Sequence, residues 1–364
     1  MLFRSTPQPS ATLSGTVTDG SGAGWPLHAR IGIPGYPDGA VYTDPVTGHY
    51  SVTLPQGDYT LDISTDAPGY PPVSQPVTIG GSDATHDVAL TADLTACTAP
   101  GYGWNGSSTD FTGWAAAKPS EGWAITGSGW RFDNPGGRSA PQTPPTFLPG
   151  GDDNFAVADS GAGGHLDTRL TSPALDLSGQ SAPQLQFDTN YYGSARQRAT
   201  VELSVNGGRT WTSVWQRSTA NAIDHVTVAL PSAAGHRDVR VRFHYTGQGG
   251  WYWALDDVFV GTHTCVARPG GLVVGVVSDA TAHQPVNGAR VTDAADPRTL
   301  PWPVGIAQVT ADPAFPGGYY WLFVPGGTRQ LTTAAAGYDT ATSTVDAGAH
   351  HVTRRDVPLT AHGS

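Results

Sequence analysis

Ser14-Gly15-Thr16-Val17-Thr18-Asp19 returns near the other end of the chain as Val274-Gly275-Val276-Val277-Ser278-Asp279. Working outward from this stretch, Ala29-Arg30 is matched by Ala289-Arg290 and Gly69-Tyr70 by Gly337-Tyr338. His86-Asp87-Val88-Ala89-Leu90 is matched by Arg355-Asp356-Val357-Pro358-Leu359. The order is kept and the offset drifts only from about 260 to about 270 residues, as small loop insertions produce. Two copies of one β-rich unit therefore bracket a different middle segment. Non-catalytic extracellular arrays are built this way, and single active sites rarely are.

The 364 residues suffice for two or three domains. Gly (47) and Pro (30) punctuate turns and break helices, while strong helix formers are scarce, with one Met and one Lys, Lys118. The 11 Trp and 13 Tyr supply the burial that disordered chains lack. The expectation is an all-β chain of three tandem β-sandwich domains. A net charge of −11 with no basic stripe opposes nucleic acid and anionic lipid as partners. No apolar run approaches the ~20 residues of a membrane-spanning helix, so membrane insertion is not expected.

The only cysteines, Cys97 and Cys265, lie at the two ends of the middle segment. A sandwich brings its termini together, so a disulfide at that neck is expected; two unrelated buried thiols are the alternative. Closing so long a loop is worth up to about 5 kcal/mol on chain-entropy grounds. A structural disulfide places the protein in an oxidising, exported setting. Met1-Leu2-Phe3-Arg4-Ser5 has no apolar signal region and reads like translated sequencing adapter. A fragment whose own signal peptide has been lost is expected.

Residues 1–10 read as a tail. From 11 to 96, Tyr50-Ser51-Val52-Thr53-Leu54 and Tyr59-Thr60-Leu61-Asp62-Ile63 alternate around the turn Pro55-Gln56-Gly57-Asp58. Residues 268–361 repeat this with Tyr320-Trp321-Leu322-Phe323-Val324 before Pro325-Gly326-Gly327. Through Gly15, Asp19, Tyr50, Pro55, Gly57, Tyr59, Gly69-Tyr70 and Asp87-Val88, the unit resembles the carboxypeptidase regulatory-like domain, a transthyretin-like sandwich. The second copy departs at Gln330 and Leu331, where that pattern has Tyr-x-Leu.

Residues 97–265 carry longer alternating runs. These are Pro183 to Phe187, a hairpin from Ala199 to Trp215 around Asn206-Gly207-Gly208, and Val239, Val241, Phe243 and Tyr245. Trp130-x-Phe132-Asp133-Asn134-Pro135-Gly136-Gly137, Phe155 to Ser160, Asp167 to Ser178 and Trp253-Ala254-Leu255-Asp256-Asp257-Val258 resemble jelly-roll domains of the MAM and cleaved-adhesin type. The order of all three segments resembles the C-terminal accessory region of secreted bacterial subtilisin-type serine peptidases. That resemblance implies an upstream peptidase domain in the same parent chain.

Asp256-Asp257 is the strongest local signal for chemistry. Trp253 and Leu255 share one strand parity, Val258 and Val260 the other, so a β-bulge or bend is expected at the acidic pair. Adjacent carboxylates repel unless a cation or donors compensate, and calcium suits oxygen ligands. The jelly-roll resemblance implies a structural calcium between Asp257 and Asp110, with Asp159 as a third donor; a solvated pair with backbone caps is the alternative. Trp251 and Tyr252, beside Gly247-Gln248-Gly249-Gly250, are candidate glycan contacts, although strand aromatics are more often core.

No G-x-S-x-G elbow, H-E-x-x-H pair or subtilisin-type catalytic motif occurs, and the chain is read as non-enzymatic. Its expected role is a secreted accessory region that recognises an extracellular protein or polysaccharide surface, or stabilises a peptidase. The runner-up is a carbohydrate-binding or adhesive module of a glycan-degrading or cell-surface protein. A hydrolase whose site emerges only in three dimensions is the third.

Overall fold

The computed structural model describes residues 9–133, 154–161, 164–193, 195–293 and 304–363. Most of the expected tail and the Asn134–Gly137 part of the jelly-roll phrase lie outside them. The regular secondary structure of the described residues is all strand apart from one 3-10 turn at Pro231–Ala233, so the all-β expectation holds. Among the described residues no helix is long and apolar enough to cross a membrane. Contacts divide the chain into two compact units, one made of residues 1–103 and 264–364, the other of residues 104–263.

In the first unit the repeat is exact in topology. Ser10–Asp19 pairs antiparallel with His49–Pro55 and parallel with Ala84–Thr85 and Val88–Leu90. Gly270–Asp279 does the same with Tyr319–Pro325, Val352–Arg354 and Val357–Leu359. Each copy adds a second four-stranded sheet, built on Ala29–Gly32 in the first and on Arg290–Asp293 in the second. The shared signature has a steric cause. A Cβ on Gly15 would sit 2.0 Å from the His86 carbonyl oxygen, and one on Gly275 2.0 Å from that of Arg355. The facing Tyr50 and Tyr320 hydroxyls donate to those same two carbonyls. Asp87 and Asp356 each accept a backbone N–H from the long strand, that of Thr16 and that of Val276.

The departure expected at Gln330-Leu331 resolves one residue earlier. Leu331 is fully buried like Leu61, and Arg329 replaces Tyr59. Arg329 Nε donates to the Pro325 carbonyl, as the Tyr59 hydroxyl does to that of Pro55. The two copies, separate in sequence, meet inside this unit. Trp25, fully buried, packs its ring 6.0 Å from both Tyr102 and Phe323. His28 bonds Asp312 at 3.0 Å, both nearly covered. The expected disulfide joins Cys97 to Cys265, with Cα atoms 5.5 Å apart.

The second unit packs a five-stranded sheet on a six-stranded one. The alternating Val239, Val241, Phe243 and Tyr245 are all buried, as is Val201 of the hairpin that turns at Gly207 and Gly208. Trp253 lies at the centre, its ring within 6 Å of Trp130, Trp215 and Phe243. Its indole N–H donates to Thr189 Oγ1 at 2.8 Å, which satisfies the one polar atom of the side chain.

Candidate functional site

The site lies on the outward face of the six-stranded sheet. Its axis is the strand Tyr252–Ala267, which pairs with Gln184–Tyr192 on one side and Phe155–Asp159 on the other. Opposite Gln186 stands Phe259 and opposite Asp188 stands Asp256, so two residues of one strand face a single residue of the other. This is the β-bulge expected from the phase flip. Asp257 occupies the left-handed region, at φ 48°, and its N–H donates to Asp256 Oδ1 at 2.9 Å. The extra residue keeps Trp253, Leu255, Val258 and Val260 all in one core. Asp256 is turned to the other face and yet buried.

Cross-strand register then sets out the outward face in rows. Asp159, Tyr252 and Tyr192 form one row; Val157, Ala254, Asn190 and Ile223 the next; Asp256, Asp188 and His225 the third. Alternation places the same face on every second residue, so these rows stand about 7 Å apart. At the first two rows the surface is concave. A cleft of about 280 Å³ is lined by Asn190, Tyr192, Asn221, Ile223 and Tyr252. The Tyr192 ring packs edge-on against Trp251 at 4.3 Å and lies nearly parallel to Tyr252 at 6.2 Å. Asn190 is buried, with Tyr252 Oη 3.5 Å from its Oδ1, while Asn221 Oδ1 accepts the Gly193 N–H at 2.9 Å. Ile223 is 52% exposed, unusual for so large an apolar side chain.

The third row is acidic. Burial, with the charges of Asp257, Asp110 and Asp188 added, pushes the Asp256 carboxyl up to about 8, against the pull of the Asp257 N–H. Asp188 is nearly covered and accepts from His225 Nδ1 at 2.7 Å. Thus two of the three residues expected to hold calcium, Asp110 and Asp257, lie around Asp256. Asp159 does not join them. It stands opposite Tyr252, about 13 Å along the strand, and its Oδ1 accepts the Gly161 N–H. Among the described residues no three His, Cys, Asp or Glu side chains converge on one point. The oxygen chemistry suits calcium, but the trio expected from the sequence does not fit as a set.

Of the two expected glycan contacts, Tyr252 lines the cleft and Trp251 buttresses it through Tyr192. Sequence reasoning missed Tyr192, Asn190 and Asp188, although they alternate along Gln184–Tyr192 opposite the core residues Leu185, Phe187 and Tyr191. It also missed His225, whose only signal is the alternation Ile223-x-His225-x-Thr227.

A family model described as Reelin subrepeat B matches residues 167–261, wholly within the second unit. No curated protein matches the chain. Among solved structures, the K1 cleaved adhesin domain of Lys-gingipain from Porphyromonas gingivalis W83 is 21% identical and covers 43% of this chain and 96% of its own, at a TM-score of 0.32. TmCBM61 in complex with β-1,4-galactotriose is 11% identical over 42% of this chain and 99% of that one, at 0.30. BcpA, the major pilin subunit of Bacillus cereus, is 11% identical over 97% and 99%, at 0.25.

Proposed function

We propose that the chain is a non-catalytic extracellular recognition region whose second unit binds a carbohydrate in the cleft beside Tyr192, Trp251 and Tyr252. The cleft itself carries the proposal. It joins aromatic rings, on which the C–H face of a sugar stacks, to the fixed amides Asn190 and Asn221, which suit hydroxyl groups. Among the described residues no carboxylate, histidine, lysine or arginine lines it, which supports binding without chemistry. Asp188 and Asp256 are neighbours, as a hydrolase would require, but both are buried one row away. The disulfide supports an oxidising, exported setting. Calorimetric titration against a panel of neutral oligosaccharides tests the proposal. Binding that Tyr192→Ala or Trp251→Ala abolishes is the expected result; no heat with any of them would refute it.

Two finer points join this proposal. The order of segments around Cys97 and Cys265 supports descent from the accessory region of a subtilisin-type peptidase. A catalytic domain of another class in the upstream reading frame would end that idea. A calcium ion between Asp110 and Asp257, completed by oxygens other than carboxylates, is supported by the charge that both place on the buried Asp256.

A further inference from the structure

We infer that the cleft is one end of a longer groove and that His225 forms a second sugar position beside it. The ligand is then a chain of at least two contiguous neutral sugar units. This rests on the carbohydrate reading of the cleft. Along the edge strand Ala222–Ala229 the outward residues Ile223, His225 and Thr227 are all exposed. Ile223 lines the cleft, and His225 follows two residues later, about 7 Å further on. That step is comparable to one unit of an extended glycan.

The imidazole is held for use. Its Nδ1 is fixed by the nearly covered Asp188 carboxylate at 2.7 Å, while the His225 side chain remains 55% exposed. A carboxylate at Nδ1 selects the tautomer protonated there and leaves Nε2 as an acceptor. Among the described residues nothing in the protein bonds Nε2, so a sugar hydroxyl can donate to it. Because the ring is already ordered, the contact forms with little loss of side-chain freedom. The same row determines the ligand's charge. Asp188 lies beneath the groove, and a uronate or sulfate would be set against its carboxylate there. A neutral chain meets no such opposition.

Galactotriose, xylotriose and cellotriose, each titrated beside its own monosaccharide, test the inference. At least one trisaccharide should bind about tenfold or more tightly than its monosaccharide, a difference of about 1.4 kcal/mol. His225→Ala should bring the two within about threefold while leaving the monosaccharide unchanged, and His225→Gln should restore part of the gain. Asp188→Asn, which frees the ring, should lose most of it. Melting temperature checks that the exposed substitutions leave the fold intact. Equal affinity for trisaccharide and monosaccharide would overturn the second position and leave the cleft standing. So would a His225→Ala protein that binds the trisaccharide normally while Tyr192→Ala does not. Failure of every sugar to bind overturns the cleft and the groove together.

Discussion

Replacing Asp256 by Asn should make the second unit more stable at alkaline pH. The carboxyl titrates at about 8 when folded and near 3.8 when unfolded, so the folded state holds its proton more tightly. The stability that this proton contributes is complete below the unfolded value and is lost as pH rises through the folded one. Each pH unit between the two costs about 1.4 kcal/mol. From pH 5 to pH 8 the wild type should therefore lose about 4 kcal/mol. In a unit of this size that is about 8–16 °C of melting temperature. Asn copies the protonated acid in shape and still accepts the Asp257 N–H through Oδ1. The variant and the wild type should melt together near pH 3.8 and separate steadily above it. The assay is scanning calorimetry in EDTA, read on the transition of this unit. Parallel curves, or a wild type that outlasts the variant at pH 8, would show that Asp256 does not carry a buried charge into the folded state.

Calcium added at pH 8 should raise the melting temperature of the wild type and leave Asp257→Asn nearly unmoved; no shift in the wild type would remove the ion from Asp110 and Asp257. Gly15→Ala or Gly275→Ala should cost about 3 kcal/mol or more, since the added methyl meets a backbone carbonyl at 2.0 Å, and urea unfolding would reveal a tolerated methyl as an error in strand register. Reducing the Cys97–Cys265 bond should lower the stability of the first unit by up to about 5 kcal/mol, and an unchanged calorimetric transition under reductant would contradict that.

The sequence displays its sheets wherever one face is buried and the other wet. Val239, Val241, Phe243 and Tyr245 alternate because only one side of that strand meets the core. The bulge was legible for the same reason, since an extra residue leaves its trace as a change of parity at Asp256-Asp257. The outward site was not. Asn190 and Asp188 are buried and Tyr192 half-buried on the face opposite the core, and in sequence polar and aromatic residues there look like ordinary solvent-side positions. His225 becomes notable only when strand pairing sets it beside Asp188, thirty-seven residues away in sequence. Asp159 entered through the jelly-roll resemblance, and only strand pairing shows it opposite Tyr252, about 13 Å along the strand from Asp256.

The first unit draws on both ends of the chain, and this orders events during synthesis. Trp25 emerges early, but its neighbour Phe323 is added only after some three hundred further residues. At ordinary translation speeds that is a wait of roughly 15–60 s. The middle segment is complete well before then and can fold while the earlier copy still lacks its counterpart. Cys97 must likewise wait for Cys265, 168 residues later, before the bond between them can close.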